Sequence, residues 1–256
     1  MPHEPGKVRL VGAGPGAADL LTVRALRAIE DAQALLYDAL IADEVIALAP
    51  AACLKIQTGK RAGRPSLEQA TINRLMLRLA RRGLNVVRLK GGDPSIFGRV
   101  GEEAAFLHVH GIDTEVVPGV TAASAAAAQF GFPLTHRGEA RRLLIATATT
   151  KAGALIDAGW AQAADAQTTV ALYMGRDRLE AALAQLMAHG RSAATPALAV
   201  ENAGRREARV LAGTVGDLGE VVTTAGLDGP VVLIVGEVTA QAAAAVAAPP
   251  ILKAQA

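Results

Sequence analysis

The segment Gly91-Gly92-Asp93-Pro94 follows directly on a run of β-branched and aliphatic residues, Val86–Leu89, and has clear potential for chemistry. Ligands of open α/β sheets bind beyond the carboxyl ends of the strands. Glycine at that place lets the backbone approach a ligand closely, and Asp93 offers a fixed acceptor for ammonium or hydroxyl groups. We therefore expect a small-molecule site after this strand.

Two other apolar runs end in the same way. Val8–Val11 leads into Gly12-Ala13-Gly14-Pro15-Gly16, and Glu115–Val117 leads into Pro118-Gly119-Val120-Thr121. Three glycine-ended strands in one parallel sheet predict three loops that converge at one edge. The first loop also fits the G-x-G-x-x-A form of the dinucleotide fingerprint, with Asp38 where a ribose-binding acid belongs. A nicotinamide dehydrogenase is therefore an alternative, although Pro15 has no N–H to offer a phosphate.

The elements that must position these loops alternate between strand and helix. Such alternation with short connections predicts an α/β fold with a mostly parallel sheet, covered on both faces. A helix is predicted to begin at Ser66 as N-cap, with Gln69 in the capping-box position, and to run to about Arg82. The strands predicted in this half are Val8–Val11, Ala34–Tyr37, Cys53–Gln57, Val86–Leu89 and Thr114–Val117.

The alternation breaks near residues 131–142 and then restarts. We predict an N-terminal α/β domain at 1–134, a C-terminal α/β domain at 135–246 and a flexible tail at 247–256. Glu207–Leu211 can pair antiparallel with Ala197–Val200, so the second sheet is expected to be mixed. Two unequal lobes with a cleft between them are the simplest architecture.

Composition narrows the class of protein. The 256 residues are 51% hydrophobic, enough for a sizeable core, and the net charge of +2 argues against a nucleic-acid partner. Cys53 is the single cysteine, so neither a disulfide nor a cysteine zinc site is expected, and the histidines do not predict a metal. Because no apolar stretch is long enough for a membrane span, we expect a cytoplasmic protein without a membrane partner.

Motifs along almost the whole chain, from about Val8 to Val238, resemble those of the tetrapyrrole methyltransferases. The resemblance implies a two-lobed fold, a homodimer, and S-adenosyl-L-methionine bound in the cleft between the lobes. The matching motifs are Val11–Gly16, Tyr37-Asp38, Gly59–Gly63, Val86–Pro94, Ile96–Arg99, Gly101–Glu103, Val117–Ala122, Pro133–Arg137, Tyr173–Gly175 and Gly236–Val238.

The family reaction that this resemblance implies is methylation of uroporphyrinogen III at C2 and C7, through precorrin-1 to precorrin-2, for siroheme, cobalamin or heme d1 synthesis. By the same resemblance, Asp38 is the proton acceptor and Lys60 the proton donor. The implied contacts to S-adenosyl-L-methionine are Pro15, Gly91, Gly92, Asp93, Ile96, Thr121, Ala122, Met174, Ala203 and Val231.

The substrate is a polycarboxylate, so cations must surround it, and arginine forms paired hydrogen bonds to carboxylates. We expect Arg99 to contact the substrate, with Glu102 orienting it, whereas Glu103 is expected to be solvated. The other expected substrate contacts are Arg61, Arg64, Phe97 and Arg137.

Two alternatives keep the fold and change the function. A later precorrin methyltransferase has a different acceptor. The second alternative is a protein that binds a tetrapyrrole without catalysing a reaction, because Leu143–Thr150 departs from the sequence common in the family.

Overall fold

The computed structural model describes residues 4–59, 67–148 and 159–242. The chain divides into two compact units. The first runs to Ala122 and also includes Gly204–Arg206, and the second comprises the remainder. This division precedes the predicted boundary at 134–135, because the helix that begins at Ala122 packs with the second unit. The predicted tail at 247–256 lies outside the described residues.

The first unit is built on a five-stranded parallel sheet of order β3-β2-β4-β1-β5. The prediction of a parallel sheet is therefore confirmed. Its central strands are buried on both faces, which explains their near-continuous apolar sequence. The strands are β1 (Val8–Gly12), β2 (Ala34–Tyr37), β3 (Leu54–Gln57), β4 (Val86–Lys90) and β5 (Thr114–Val117).

Helices cover both faces of this sheet. Apolar side chains of α1 (Val23–Glu30) and α2 (Asp43–Ala47) pack on one face, and those of α3 (Gln69–Arg81) and α4 (Val100–Val109) pack on the other. The N-cap of α3 is Glu68, so the prediction of Ser66 was wrong. The side chain of Gln69 bonds to Asn73 and Glu103 instead of closing a capping box.

The second unit contains a mixed sheet of order β6-β7-β10-β8-β9. Only the β6–β7 pair is parallel, and the predicted antiparallel pairing of β8 with β9 is confirmed. The strands are β6 (Arg142–Thr147), β7 (Thr168–Tyr173), β8 (Pro196–Glu201), β9 (Arg209–Thr214) and β10 (Val231–Val235). The helices are α5 (Ala122–Phe130), α6 (Trp160–Ala163), α7 (Leu179–Ala188) and α8 (Leu218–Ala225).

Candidate functional site

The three glycine-ended strands of the first unit do converge. A Cβ atom added to Gly12 would lie 2.7 Å from the Gly119 Cα atom and 2.7 Å from the Gly92 carbonyl oxygen. A Cβ atom on Gly119 would lie only 2.3 Å from that same oxygen. The ends of β1, β4 and β5 therefore pack backbone against backbone, and only glycine fits at Gly12 and Gly119.

The loop after β1 is joined to the loop after β4 by a pair of hydrogen bonds. The Gly14 N–H donates to the Gly92 carbonyl at 3.2 Å, and the Gly92 N–H donates to the Gly14 carbonyl at 2.7 Å. A 3-10 turn at Ala18–Leu20 follows, and α1 begins only at Val23. A helix N-terminus directly behind the glycine loop is what binds a pyrophosphate. This loop lacks one, which counts against the dehydrogenase alternative.

Asp93 holds the neighbouring loops together. Its Oδ2 atom accepts a 2.9 Å hydrogen bond from the Gly119 N–H, and its Oδ1 atom accepts from the Ser95 N–H at 2.8 Å and from the Ser95 hydroxyl. Partial burial by itself raises the pKa of Asp93, but these hydrogen bonds outweigh it and lower the pKa below its ordinary value. Asp93 therefore stays ionised at neutral pH and shapes the loop that was predicted to bind the cofactor.

An open strip lies beside Gly91 and Gly92. A Cβ atom on Gly92 would meet nothing closer than the Thr121 Cα atom and the Val120 carbonyl oxygen, both at 3.9 Å. A Cβ atom on Gly91 would meet only the Leu40 side chain, at 3.4 Å and beyond. The two glycines thus leave room for a ligand to approach the backbone.

Pro15, in the loop after β1, lies against the short segment Gly204–Arg206. The Ala17 N–H donates to the Gly204 carbonyl at 2.9 Å, and a Cβ atom on Gly204 would lie 2.3 Å from the Pro15 Cγ atom. The guanidinium of Arg205 donates to the Leu40 carbonyl at 2.7 Å. The segment therefore joins the loop after β1 to the loop after β2.

Asp38 follows β2 directly and is half-buried. Its Oδ1 atom accepts a hydrogen bond from the Leu40 N–H at 2.9 Å, which fixes the carboxylate within its own turn. Because β2 pairs with β4, Asp38 lies at the same edge of the sheet as Gly91. The predicted proton acceptor and the predicted cofactor loop are therefore neighbours.

Arg99 and Glu102 form the predicted pair. Nε donates to Oε1 at 2.9 Å and Nη2 donates to Oε2 at 2.6 Å, so the pair is bidentate. Hydrogen bonding to Glu102 raises the pKa of Arg99 above its already high ordinary value. The pair lies at the start of α4, and both side chains are largely exposed. Phe97, at 41% exposure, lies two residues before Arg99 in the same segment.

A buried cluster of charges that was not predicted from the sequence lies beneath this loop. The expectation that Glu103 is solvated was wrong, because its exposure is 0%. It accepts hydrogen bonds from Arg88 and Lys90, both of which lie on β4. The signal was present: basic residues spaced by two share one face of a strand, and this strand is buried on both faces. Such a strand requires an anion from a covering helix.

Three of the predicted cofactor contacts lie together at one end of the second sheet. Met174 follows β7, Val231 begins β10, and Ala203 follows β8, whose last residue pairs with Val231. Met174 is 56% exposed and has a left-handed backbone (φ 54°), so it is not a core side chain. The second unit therefore presents these residues on one edge.

Other predicted site residues are not gathered there. Lys60, Arg61 and Arg64 lie outside the described residues. Arg137 is exposed in a turn of the second unit that is closed by pairing of His136 with Ala140. In the part of the chain that the structure describes, no group of His, Cys, Asp and Glu could hold a metal ion. Within those same residues, no helix has the length and apolarity to cross a bilayer.

The family model of the Tetrapyrrole (Corrin/Porphyrin) Methylases matches residues 7–219. The chain belongs to this family. The predicted resemblance is therefore confirmed, and the parallel and mixed five-stranded sheets agree with the tetrapyrrole methylase fold.

Individual tetrapyrrole methylases match along most of the chain. The uroporphyrinogen-III C-methyltransferase of Paracoccus denitrificans is 44% identical over 237 residues, which are 93% of this chain and 83% of that protein. The siroheme synthase of Methylococcus capsulatus is 45% identical over 233 residues, 91% of this chain. The chain spans about half the length of the siroheme synthases it matches (49% in that case).

A solved structure gives the same relationship in three dimensions. The uroporphyrin-III C-methyl transferase of Thermus thermophilus, complexed with S-adenyl homocysteine, is 39% identical to this chain and superimposes with a TM-score of 0.78. The match covers 91% of this chain and 93% of that chain.

Proposed function

We propose that this protein methylates uroporphyrinogen III at C2 and C7 with S-adenosyl-L-methionine, forming precorrin-2 through precorrin-1. The observation that carries the proposal is the 44% identity to a uroporphyrinogen-III C-methyltransferase over 93% of this chain. The convergent glycine loops of the first unit support it, because they leave backbone accessible beside Gly91 and Gly92. The product serves siroheme, cobalamin or heme d1 synthesis.

S-adenosyl-L-methionine, when bound, supplies a methyl group activated on a sulfonium. In this proposal Gly91 and Gly92 contact the cofactor through their backbone, and Asp93 keeps their loop in shape. Met174 contributes soft packing, for which thioethers are suited. The remaining cofactor contacts in the proposal are Pro15, Ile96, Thr121, Ala122, Ala203 and Val231.

The residues of the chain align the acceptor and handle its proton. Asp38 takes the proton that the substrate carbon loses after methylation, as a carboxylate at the site edge can. The bidentate Arg99–Glu102 pair presents a guanidinium to substrate carboxylates in a fixed orientation. Lys60 is proposed as the proton donor, and Arg61, Arg64, Phe97 and Arg137 as further substrate contacts.

The assembly and location belong to the same proposal. We infer a cytoplasmic homodimer. The resemblance to the tetrapyrrole methyltransferases implies the homodimer, and a single cysteine, Cys53, fits a reducing compartment. Light scattering after gel filtration tests the dimer, and a monomer mass at micromolar protein concentration would exclude it.

Anaerobic incubation with uroporphyrinogen III and S-adenosyl-L-methionine tests the activity. We expect a doubly methylated, chlorin-like product by absorbance and mass spectrometry. Methylation only of a later precorrin would favour the alternative acceptor. Binding of uroporphyrinogen III without any product would favour the non-catalytic protein. Calorimetry with NAD and with S-adenosylhomocysteine separates the dehydrogenase, which would bind only the former.

Asp38→Asn tests the role of the proton acceptor. We expect kcat to fall by about 10²–10⁴-fold, the usual contribution of a general base, with the dissociation constant for S-adenosylhomocysteine nearly unchanged. Asp31→Asn is the matched control, because Asp31 pairs with Arg9 on the surface of the same unit. Wild-type turnover by Asp38→Asn would remove this assignment.

A further inference from the structure

The buried charges beneath the β4 loop form a cluster around one carboxylate. Lys90 Nζ lies 3.2 Å from Oε1 and 3.1 Å from Oε2 of Glu103, and Arg88 Nε lies 3.4 Å from Oε1. Arg88 is 5% exposed, Lys90 6% and Glu103 0%. Three charged side chains thus meet in the interior of the first unit.

Hydrogen bonds extend the cluster to three further elements. The Gln69 amide on α3 donates to Glu103 Oε1 at 2.9 Å. Arg88 Nη1 donates to the Thr58 hydroxyl at 3.1 Å, and that hydroxyl donates to the Tyr37 carbonyl at 2.9 Å. Glu103 therefore links the beginning of α4 with α3 and with the carboxyl ends of β2, β3 and β4.

Stability alone does not explain this arrangement. Two cations share one carboxylate, so positive charge remains buried after pairing. Burial lowers the pKa of Lys90, and the negative charges of Glu103 and, more weakly, Asp38 oppose that shift. Apolar residues of similar volume are often at least as stabilising as a buried ion pair. The cluster therefore requires another reason.

The segment between β4 and α4 supplies that reason. Its residues Gly92, Phe97 and Arg99 have left-handed backbones, with φ values of 69°, 55° and 58°. Such conformations of non-glycine residues persist only where the surroundings hold them. Lys90 precedes the segment, and a Cβ atom on Gly98 would lie 3.0 Å from the Lys90 Cε atom. The other end of the segment leads into the first turn of α4, from which the Glu103 side chain reaches Lys90 and Arg88.

We propose that Glu103 is a positioning residue: by binding Lys90 and Arg88 it fixes both ends of the segment 91–99 and so presents Gly91, Gly92 and Arg99 to cofactor and substrate. The role in catalysis rests on the proposed function. The role in fixing the segment does not, because it follows from the contacts alone.

The test compares Glu103→Gln with a matched control, Glu115→Gln. Glu115 on β5 also joins a lysine and an arginine, Lys7 at 2.7 Å and Arg9 at 3.5 Å, but toward the amino ends of the strands. We measure hydrogen exchange of the amides of residues 91–99, the dissociation constant for S-adenosylhomocysteine, and kcat. Each variant is compared with the wild-type chain at equal folded fraction.

For Glu103→Gln we expect faster exchange in residues 91–99, about tenfold weaker binding of S-adenosylhomocysteine, and a loss of kcat of about 10²-fold, as for a misplaced substrate-orienting group. Glu115→Gln should change none of these quantities. Adding Lys90→Met to Glu103→Gln should change these quantities little further, because the bond between Lys90 and Glu103 is already lost. A merely structural role predicts lower global stability without a local change in exchange.

Two results overturn the inference: exchange in residues 91–99 that matches wild type, or equal effects of the two glutamine variants. If Glu103→Gln does not fold, Lys90→Met decides, because it leaves Arg88 and Glu103 as a one-to-one pair. Faster exchange of residues 91–99 in that variant supports the inference, and unchanged exchange overturns it. A wild-type chain that neither binds S-adenosylhomocysteine nor methylates would contradict the proposed function, while the exchange result still decides the role of Glu103 in the segment.

Discussion

Among the residues that the structure describes, each unit buries a glutamate near the end of a strand, but the two carboxylates have different hydrogen-bond partners. Glu103 in the first unit accepts from the side chains of Lys90, Arg88 and Gln69. Glu201 in the second unit, at 4% exposure, accepts from the N–H groups of Asp228 and Gly229 at 2.8 and 2.6 Å. It also accepts from Arg209 Nε at 2.7 Å.

The difference lies in what each glutamate holds. Glu201 fixes the turn before β10, and its cationic partner Arg209 is about half exposed. Glu103 joins several elements, and both of its cationic partners are buried. Removing the negative charge from Glu103 leaves buried cations without an anion, whereas removing it from Glu201 leaves a cation that water can reach. The stability of the first unit should therefore depend more on Glu103 than the stability of the second unit depends on Glu201.

The largest expected effect is on Glu103→Gln. We predict that this change lowers the free energy of unfolding by about 3–5 kcal/mol, the usual cost of breaking a buried ion pair from one side. Urea denaturation of the variant and of the wild type measures it. A loss smaller than that of the corresponding variant at position 201 would reverse the comparison.

The matched change, Glu201→Gln, should have a smaller effect. The glutamine carbonyl can still accept from the Asp228 and Gly229 N–H groups, so the loss is limited to the bond from Arg209, which is about half exposed, and the charge-assisted part of the other two bonds. We predict a loss of about 1–2 kcal/mol, the difference between charged and neutral hydrogen bonds. Denaturation in urea under identical conditions measures it, and a loss above that of Glu103→Gln would show that backbone partners depend on the charge as strongly as buried cations.

The contrast between the two glutamates also marks the limit of prediction from sequence. The strand ends could be predicted because an apolar run and the glycine that stops it are adjacent in the chain. The antiparallel β8–β9 pair was predictable because its two strands follow one another in the chain with a short connection. The burial of Glu103 depends on Gln69, Arg88 and Lys90, which are distant in sequence, so the residue reads as an ordinary acid in the first turn of a helix.

The predicted site also combines features that the sequence predicts with features that it does not. Gly12, Gly92 and Gly119 converge as expected, because parallel strands end at one edge of a sheet. That both oxygens of Asp93 accept hydrogen bonds from its own loops could not be inferred, since it depends on the exact path of residues 93–95 and 117–119. The roles of Lys60, Arg61 and Arg64 remain predictions.

Lowering the pH should reduce the difference in the free energy of unfolding between the wild type and Glu201→Gln. Burial alone raises the pKa of Glu201, but hydrogen bonds from the Gly229 N–H, Arg209 and the Asp228 N–H outweigh it and lower the pKa below its ordinary value. A carboxylate with a lowered pKa stabilises the fold above its unfolded-state pKa and loses that contribution as the pH falls through the folded-state value.

The stability gap should therefore be complete at pH 7 and shrink below about pH 4.3, the ordinary value for glutamate. Urea denaturation of both proteins across this range measures the gap. A gap that widens on acidification would mean that the Glu201 carboxyl is stabilised in its protonated form, and the account of its hydrogen bonds would be wrong.

Glu102→Gln should have the smallest effect on stability of the three substitutions, even though Glu102 is adjacent in sequence to Glu103. Glu102 pairs with Arg99, and the Glu102 side chain is 57% exposed and the Arg99 side chain 42% exposed. Exposed pairs contribute about 0–1 kcal/mol, so we predict a change in the free energy of unfolding within that range. Under the proposed function turnover should nevertheless fall, because Arg99 loses the partner that fixes its orientation. Urea denaturation and the anaerobic methylation assay on one preparation separate the two quantities.

Wild-type turnover of Glu102→Gln would mean that Arg99 needs no orienting partner. A loss of stability as large as that of Glu103→Gln would mean that exposure does not distinguish these neighbouring glutamates.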